Sequence, residues 1–262
     1  MRREGLVTTQ GGLRLCTLSG LSCSLLIVVA GCQEPGSRFK ASTHHRDSVM
    51  RIETIGKSVR GRAIECWMLG DGPDVTLILA TIHGDEPAGT PLLKKLADHL
   101  TEHPELFDGK RLLLIPVANP DGFAAHKRTN ARGVDLNRNY PAANYNEDPD
   151  HGHGALSEPE SKALFDLLQR YQPARVVSIH QPIRSGAACI DYDGPAKLLA
   201  ETMSAASDLP IHKLGGQPGS LGSYVGETLG KPIITVELPA AATKWSAERL
   251  WETYGNMLLK VI

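Results

Sequence analysis

Three apolar runs in this chain each end on a side chain suited to chemistry, and that pattern restricts the fold more than any other feature. Val75-Thr-Leu-Ile-Leu-Ala80 leads into His83-Gly-Asp-Glu86. Arg175-Val-Val-Ser-Ile-His180 ends on a histidine. Pro232-Ile-Ile-Thr-Val-Glu-Leu238 carries Glu237 near its end. Short runs rich in β-branched side chains read as buried strands. In open α/β sheets, ligands sit beyond the carboxyl ends of such strands. An isolated His-x-x-Glu is weak, and a surface turn or a helix start explains it as well. Three reactive groups at three strand ends are a stronger signal. Two imidazoles and one carboxylate are the protein ligands of hydrolytic zinc, with one coordination position left for water.

The rest of the pattern fits a single α/β domain. A hairpin around Lys57 to Gly61 is predicted first, then the strand at 75–81. A helix follows from Pro87 to His99, with Leu92, Leu93, Leu96 and Leu100 on one face. Leu112 to Val117 is a strand. Ser157-Glu-Pro-Glu160 resembles a capping box that opens a helix from 159 to 171. Strand 175–180, a loop, helix 195–207, a Gly-rich loop at 215–223, the strand ending at Glu237 and helix 246–260 complete the chain. Alternating strands and helices predict a mainly parallel, mixed and twisted sheet with helices on both faces. With 262 residues and 41% hydrophobic content the chain can bury a sizeable core. A formal net charge of -1, without basic clusters, argues against nucleic acid as a partner.

Residues 118–155 have no regular period and are rich in Asn, Asp, Gly and Pro. A loop that long inside a compact domain is usually functional. Asn119-Pro-Asp-Gly122 and Arg128-Thr-Asn-Ala-Arg-Gly-Val-Asp-Leu-Asn-Arg-Asn139 stand in it. With His83-x-x-Glu86 before them, and His180 and Glu237 after, these segments resemble the zinc metallocarboxypeptidases of the carboxypeptidase A superfamily. The resemblance spans about residues 50–260. It is closest to the murein tripeptide amidase branch, through Ser178-Ile-His-Gln181, Cys189-Ile-Asp-Tyr-Asp-Gly-Pro195 and Pro218-Gly-Ser-Leu-Gly-Ser-Tyr224. That branch cleaves the γ-D-glutamyl–diaminopimelate amide of peptidoglycan peptides.

The resemblance implies roles residue by residue. His83, Glu86 and His180 would hold one zinc ion. Glu237 would be the base that takes a proton from water and passes it to the leaving amine; its plainer reading is a buried carboxylate paired with a lysine or arginine. Arg128 would stabilise the oxyanion, against a solvated loop arginine. Asn137 and Arg138 would bind the free carboxylate of the departing residue. Asp135 would accept a proton from His83, against a turn aspartate. Tyr224 is expected either to touch substrate or to pack in the core. Asp191 and Asp193 could receive a substrate ammonium, although turn-forming acids beside Gly194 are the favoured reading. His151 and His153 are assigned to a surface loop. Cys66 and Cys189 read as buried free thiols rather than a disulfide.

Two other functions share parts of this pattern. An N-acyl amino acid hydrolase of the aspartoacylase type would use the same zinc ligands, but the Asn-Pro-Asp-Gly and Gly-Val-Asp-Leu-Asn-Arg-Asn segments argue against it. A non-catalytic lipoprotein that binds cell-wall peptides could keep the Asn137–Arg138 clamp and lose zinc or base; the full set of ligands and base argues against that.

The first residues differ from the body. Arg2, Arg3 and Arg14 precede an apolar stretch from Leu21 to Ala30, and Val29-Ala30-Gly31-Cys32 follows. This order is that of an export signal, too short to span a bilayer comfortably. Its ending resembles a bacterial lipobox, which would make Cys32 the lipidated residue, and Gln33 points to outer-membrane routing. The expectation is a signal over 1–31, a tether over 32–49 and a catalytic domain over 50–262. The protein would be exported to the bacterial cell envelope as a lipoprotein facing the periplasm, held at the membrane by its lipid anchor alone. Cys32→Ser is expected to move it from the membrane to the soluble fraction; unchanged fractionation would remove Cys32 as the anchor.

Overall fold

The computed structural model describes residues 50–181 and 188–262. These residues fall in one unit, Arg46–Ile262. The expected signal over 1–31, the tether over 32–49 and Cys32 lie outside the described residues.

Seven strands form one sheet: β1 (Met50–Lys57), β2 (Ala63–Leu69), β3 (Asp74–Ala80), β4 (Lys110–Ile115), β5 (Arg175–His180), β6 (Cys189–Asp193) and β7 (Ile233–Glu237), in the order β1-β2-β4-β3-β5-β7-β6. The inner four, β4-β3-β5-β7, run parallel. The β1–β2 hairpin and β6 pair antiparallel at either side. Parallel strands covered on both faces read as unbroken apolar runs, which is why β3 is buried at every residue after Asp74.

Side chains alternate along a strand with a period of two, and here that parity sorts the sheet into two cores. Ile78, Ala80, Val177, Ile179, Ile234 and Val236 pack under α1 (Gly89–Glu102), α4 (Lys197–Ala205) and α5 (Ala247–Leu259). Leu77, Leu79, Val176 and Ile233 point the other way, into the core that includes Leu164, Leu167 and Leu168 of α3 (Pro159–Tyr171). Ser178 and His180 share the parity of Val176. Thr235 and Glu237 share that of Ile233. The polar groups at the strand ends therefore emerge on the α3 side of the sheet.

Leu92, Leu93, Leu96 and Leu100 are each fully buried, the face predicted for α1. Three expectations need correction. A loop was predicted between 180 and 195, but β6 forms there, because Ile190 fills the apolar core while its neighbours face polar space. The long segment 118–155 contains α2 (Pro120–Ala125), capped by the Asn119 side chain, which accepts from the Gly122 N–H at 2.8 Å. The capping box at 157–160 does not form. Glu158 is the N-cap of α3 and Ser157 bonds to its carboxylate instead. The reason is that Glu158 and Glu160 are both drawn inward by the Asn130 amide, at 2.7 and 3.2 Å.

Asp121 ties the β1–β2 turn to α2. Its carboxylate is buried, accepts from the Arg60 N–H at 2.9 Å and pairs with Arg62. Burial opposes its charge, but the Arg60 N–H, Arg62 and Ser58 outweigh burial and hold its pKa below the usual value. A depressed folded pKa adds stability above the unfolded value near 4, and that stability is lost as pH falls through the folded value. Asp121→Asn should therefore cost about 1.5–3 kcal/mol in urea unfolding at pH 7. The difference from the parent should shrink steadily below about pH 4; a gap independent of pH would discount the ionised pair.

Candidate active site

The chain turns sharply where β3 ends. Thr81 adopts φ 55°, a left-handed conformation that is a genuine outlier for a β-branched residue. Its hydroxyl bonds to the Thr90 hydroxyl at 2.8 Å and to the Glu86 carbonyl at 3.2 Å, while its carbonyl accepts from the Asn119 N–H at 3.0 Å. These contacts hold the 83–86 turn over the end of the sheet. Gly84 then meets α2 backbone to backbone. A Cβ at Gly84 would stand 2.0 Å from the carbonyl carbon of Gly122, and one at Gly122 would stand 2.6 Å from the Thr129 carbonyl oxygen, so close backbone approach excludes a side chain at either glycine. The Asn119 amide seals it by donating to the carbonyls of Ile82 and Arg128 at 3.2 and 3.3 Å.

The result brings His83, Glu86 and His180 together, all buried, with one potential ligand atom of each within 4.8 Å of the others. The Glu86 carboxylate lies between the rings. Its Oε1 is 2.8 Å from His83 Nδ1 and its Oε2 is 2.8 Å from His180 Nδ1. The two Nδ1 atoms are 3.2 Å apart. Each ring engages an oxygen at its far nitrogen: His83 Nε2 at 3.0 Å from Asp135 Oδ1, and His180 Nε2 at 3.0 Å from the Ser178 hydroxyl. A proton on each Nε2 leaves both Nδ1 lone pairs facing one point. Two such lone pairs at this separation repel unless a cation or a shared proton lies between them. The donor set and its outer partners thus suit a zinc site.

Charge supports the same reading. Arg128 donates through Nε to Asp135 Oδ2 at 3.0 Å and through Nη1 to Glu86 Oε1 at 3.3 Å. Burial raises the pKa of both carboxylates, but the opposing influences win. His180 and His83 hold Glu86 well below the usual range, and His83, Arg128 and Arg138 do the same for Asp135. Burial alone would lower the His83 pKa, yet hydrogen bonds to Asp135 and Glu86 raise it to about 8. Both carboxylates stay ionised beside the two rings, so a cation held between the rings would be favoured electrostatically.

A cavity of about 250 Å³ opens over this centre. Glu237 lines it from β7, directly opposite His180 in the sheet register. Its side chain makes no hydrogen bond among the described residues, and burial raises its pKa. Asn137 and Arg138 line the cavity from a short 3-10 turn. Asn137 Oδ1 accepts from the Leu221 N–H at 2.9 Å, which turns its amide nitrogen into a free donor among the described residues. Arg138 is held by the Asn137 carbonyl at 2.7 Å.

Tyr224 is a correction. It is 4% exposed, stacks on Tyr140 with ring centroids 6.1 Å apart, and accepts from the Gln169 amide at 2.9 Å. It packs in the core because it lies on a turn of π-helix, Ser223–Thr228, whose buried side faces α3. Asp191 and Asp193 are not turn residues but part of β6, and both line the cavity. His151 bonds to the Asn146 carbonyl and takes no part in the metal cluster. Cys66 and Cys189 are free and buried. Cys189 lines the cavity, where burial, Glu237 and Asp191 push its thiol up to about 11, so it stays protonated. Ser178 and Gln181 are two further residues of the site. Ser178 sits two residues before His180 with the same parity, a signal the strand pattern contains. Gln181 donates its backbone N–H to Glu86 Oε2 at 3.2 Å, which only the fold reveals.

Residues 39–193 match the zinc carboxypeptidase family. Murein peptide amidase A of Escherichia coli (strain K12) is 36% identical over 200 residues, covering 70% of this chain and 78% of that protein. The crystal structure of murein-tripeptide amidase MpaA from Escherichia coli O157 superposes with a TM-score of 0.63 at 33% identity, over 81% of this chain and 97% of that one. Carboxypeptidase A from Helicoverpa armigera shares the fold, with a TM-score of 0.66 at 21% identity over 82% and 68% of the two chains.

Ser178→Ala removes the partner of His180 Nε2 without touching a ligand atom. It should weaken zinc binding about tenfold or more in chelator competition, with the unfolding midpoint of the metal-free protein little changed. Unaltered zinc affinity would remove Ser178 as a support of the ligand.

Proposed function

Because the chain belongs to the zinc carboxypeptidase family, we propose that this metallocarboxypeptidase-like hydrolase cleaves the γ-D-glutamyl–diaminopimelate amide of peptidoglycan peptides. One observation carries the reading. The His83–Glu86–His180 centre, Glu237 and the Asn137–Arg138 pair all open on the same cavity. Its likeness to murein peptide amidases supports the choice of bond.

The chain's residues divide the work. Arg138 presents a planar fork that suits a carboxylate, and the Asn137 amide adds a donor beside it. Together they hold the free carboxylate of the departing residue and fix the scissile amide above the metal centre. The single zinc of this family, when bound by His83, Glu86 and His180, supplies Lewis acidity that polarises the carbonyl and acidifies water. Arg128, held by Asp135 and Glu86, faces the cavity as a fixed cation for charge developing on the carbonyl oxygen. Glu237 takes the proton from the attacking water and delivers it to the leaving nitrogen. Its raised pKa suits both steps, since a buried carboxyl accepts a proton more readily than an exposed one. Asp135 keeps His83 in the required tautomer.

The proposal extends to location: an enzyme held in the cell envelope through Cys32, which rests on the sequence of residues 1–33 alone.

L-Ala-γ-D-Glu-diaminopimelate should be turned over faster than ordinary peptides with a free C-terminus, and chelator should abolish both activities. A preference for ordinary peptides would replace the substrate. Glu237→Gln should lower kcat by about 10²–10⁴ while zinc content stays at one ion per chain. Full turnover in that variant would reassign the base.

A further inference from the structure

Arg128 and Asp135 are seven residues apart in the chain, yet they pair side by side, with Arg128 Nε and Nη2 each 3.0 Å from Asp135 Oδ2. A free segment of that length samples many conformations, and few of them set two such side chains together. Asn130 selects the one observed. Its Oδ1 accepts from the Arg132 and Val134 N–H groups at 3.0 and 3.1 Å. Its backbone N–H donates to the Val134 carbonyl at 2.9 Å, and its carbonyl accepts from the Gly133 N–H at 3.1 Å. Gly133 has φ 83°, a left-handed conformation that suits glycine in so tight a turn. One residue thus closes the segment between the cation and the carboxylate.

The Asn130 amide nitrogen points away from that loop. It donates to Glu158 Oε2 at 2.7 Å and to Glu160 Oε2 at 3.2 Å, so both donors and both lone pairs of the side chain are used. Asn130, Glu158 and Glu160 are all buried. Glu160 Oε1 also accepts from the Val59 N–H at 3.1 Å, which draws in the β1–β2 turn, and Glu158 Oε2 lies 3.4 Å from Arg132 Nη1. The loop is thereby pinned to the start of α3, whose leucines are fixed in the core. Two buried carboxylates side by side are costly, and burial, with Glu158 adding to it, raises the Glu160 pKa. Apolar side chains would start the helix at less cost but leave the Asn130 donors unpaired. None of these three residues lines the cavity; their reach into it runs through Arg128 and Asp135.

We propose that Asn130, anchored by Glu158 and Glu160, is a positioning residue that sets Arg128 and Asp135 against the metal centre. Arg128 Nη1 lies 3.3 Å from Glu86 Oε1, and Asp135 Oδ1 lies 3.0 Å from His83 Nε2. A shift of the loop therefore moves the fixed cation and the partner of one ligand together. A displacement of about 1 Å breaks hydrogen bonds of this length and costs about a hundredfold in rate where catalysis depends on the displaced group. The role of Arg128 in turnover rests on the hydrolase reading above. The support of His83 by Asp135 does not, and zinc affinity reports on it without any substrate.

The experiment uses the full chain and whichever of L-Ala-γ-D-Glu-diaminopimelate and an ordinary C-terminal peptide the parent protein cleaves faster. Asn130→Ala should weaken zinc binding about tenfold or more in chelator competition. At saturating zinc it should lower kcat/KM by about ten- to a hundredfold. In an Arg128→Ala background the same substitution should lower kcat/KM by less than about threefold, because the group it positions is gone. Equal fractional losses in the two backgrounds, the result of a general weakening of the fold, would overturn the proposal, and so would zinc affinity equal to the parent's. Glu158→Ala should reproduce both losses, and Glu158→Gln, which keeps an acceptor for the Asn130 amide, should recover most of them. Should Asn130→Ala not fold, this second pair decides: parent-like values in Glu158→Ala, or a glutamine variant as poor as the alanine one, would overturn the proposal. A parent protein that cleaves neither peptide sinks the hydrolase reading instead. Zinc affinity then decides the role of Asn130, a fall in the variants supporting it and an unchanged value overturning it.

Discussion

The register of the central strands is the constraint on which the site depends. His180 and Glu237 occupy paired positions on β5 and β7, and side-chain parity aims both at the α3 side of the sheet. A slip of one residue would send either to the other face. The apolar neighbours prevent that slip. Val177, Ile179, Ile234 and Val236 are fully or almost fully buried in the opposite core, and exchanging them with polar residues would cost several buried side chains at about 1.5–3 kcal/mol each. The placement of His180 and Glu237 is thus a by-product of hydrophobic packing.

Loops complete what the strands begin, and they are held by polar contacts. Asn119 caps α2, grips two carbonyls of neighbouring segments and brings the Gly84 and Gly122 backbones into contact. Arg128 then reaches Asp135 and Glu86 at once. Buried charges persist only when paired and hydrogen-bonded. The centre meets that condition by sharing two carboxylates among two imidazoles and a guanidinium, an arrangement that a divalent cation completes. The strained Thr81 sits at the hinge between strand and ligand turn, where its surroundings over-determine an unfavourable conformation.

Much of this could be read from the chain. The runs ending at His180 and Glu237 announced strands, because a buried parallel strand is apolar on both faces. The leucine spacing of α1 announced a helix for a similar reason. The candidate metal cluster and the cavity positions of Asn137 and Arg138 were legible because chemistry demands particular side chains at motif spacing. The failures have a common cause. β6 mixes polar and apolar residues since one of its faces lines a cavity, and so it resembles a loop. Glu158 and Glu160 mimic a capping box, but Asn130, 28 residues before Glu158, claims their carboxylates. Tyr224 sits in a Gly-rich stretch that looked suited to substrate, while its ring fills a space between Tyr140 and Phe165.

The sequence by itself determined the α/β architecture and the candidate His83–Glu86–His180 metal site, since periodicity and motif chemistry are local properties. Only the tertiary structure decided that Asp191 and Asp193 belong to the cavity, that Ser178 and Gln181 bond to His180 and Glu86, and that Tyr224 does not face the cavity. Those outcomes depend on which segments become neighbours in space, and neighbours are chosen by packing across the whole sheet rather than by any residue's own preference.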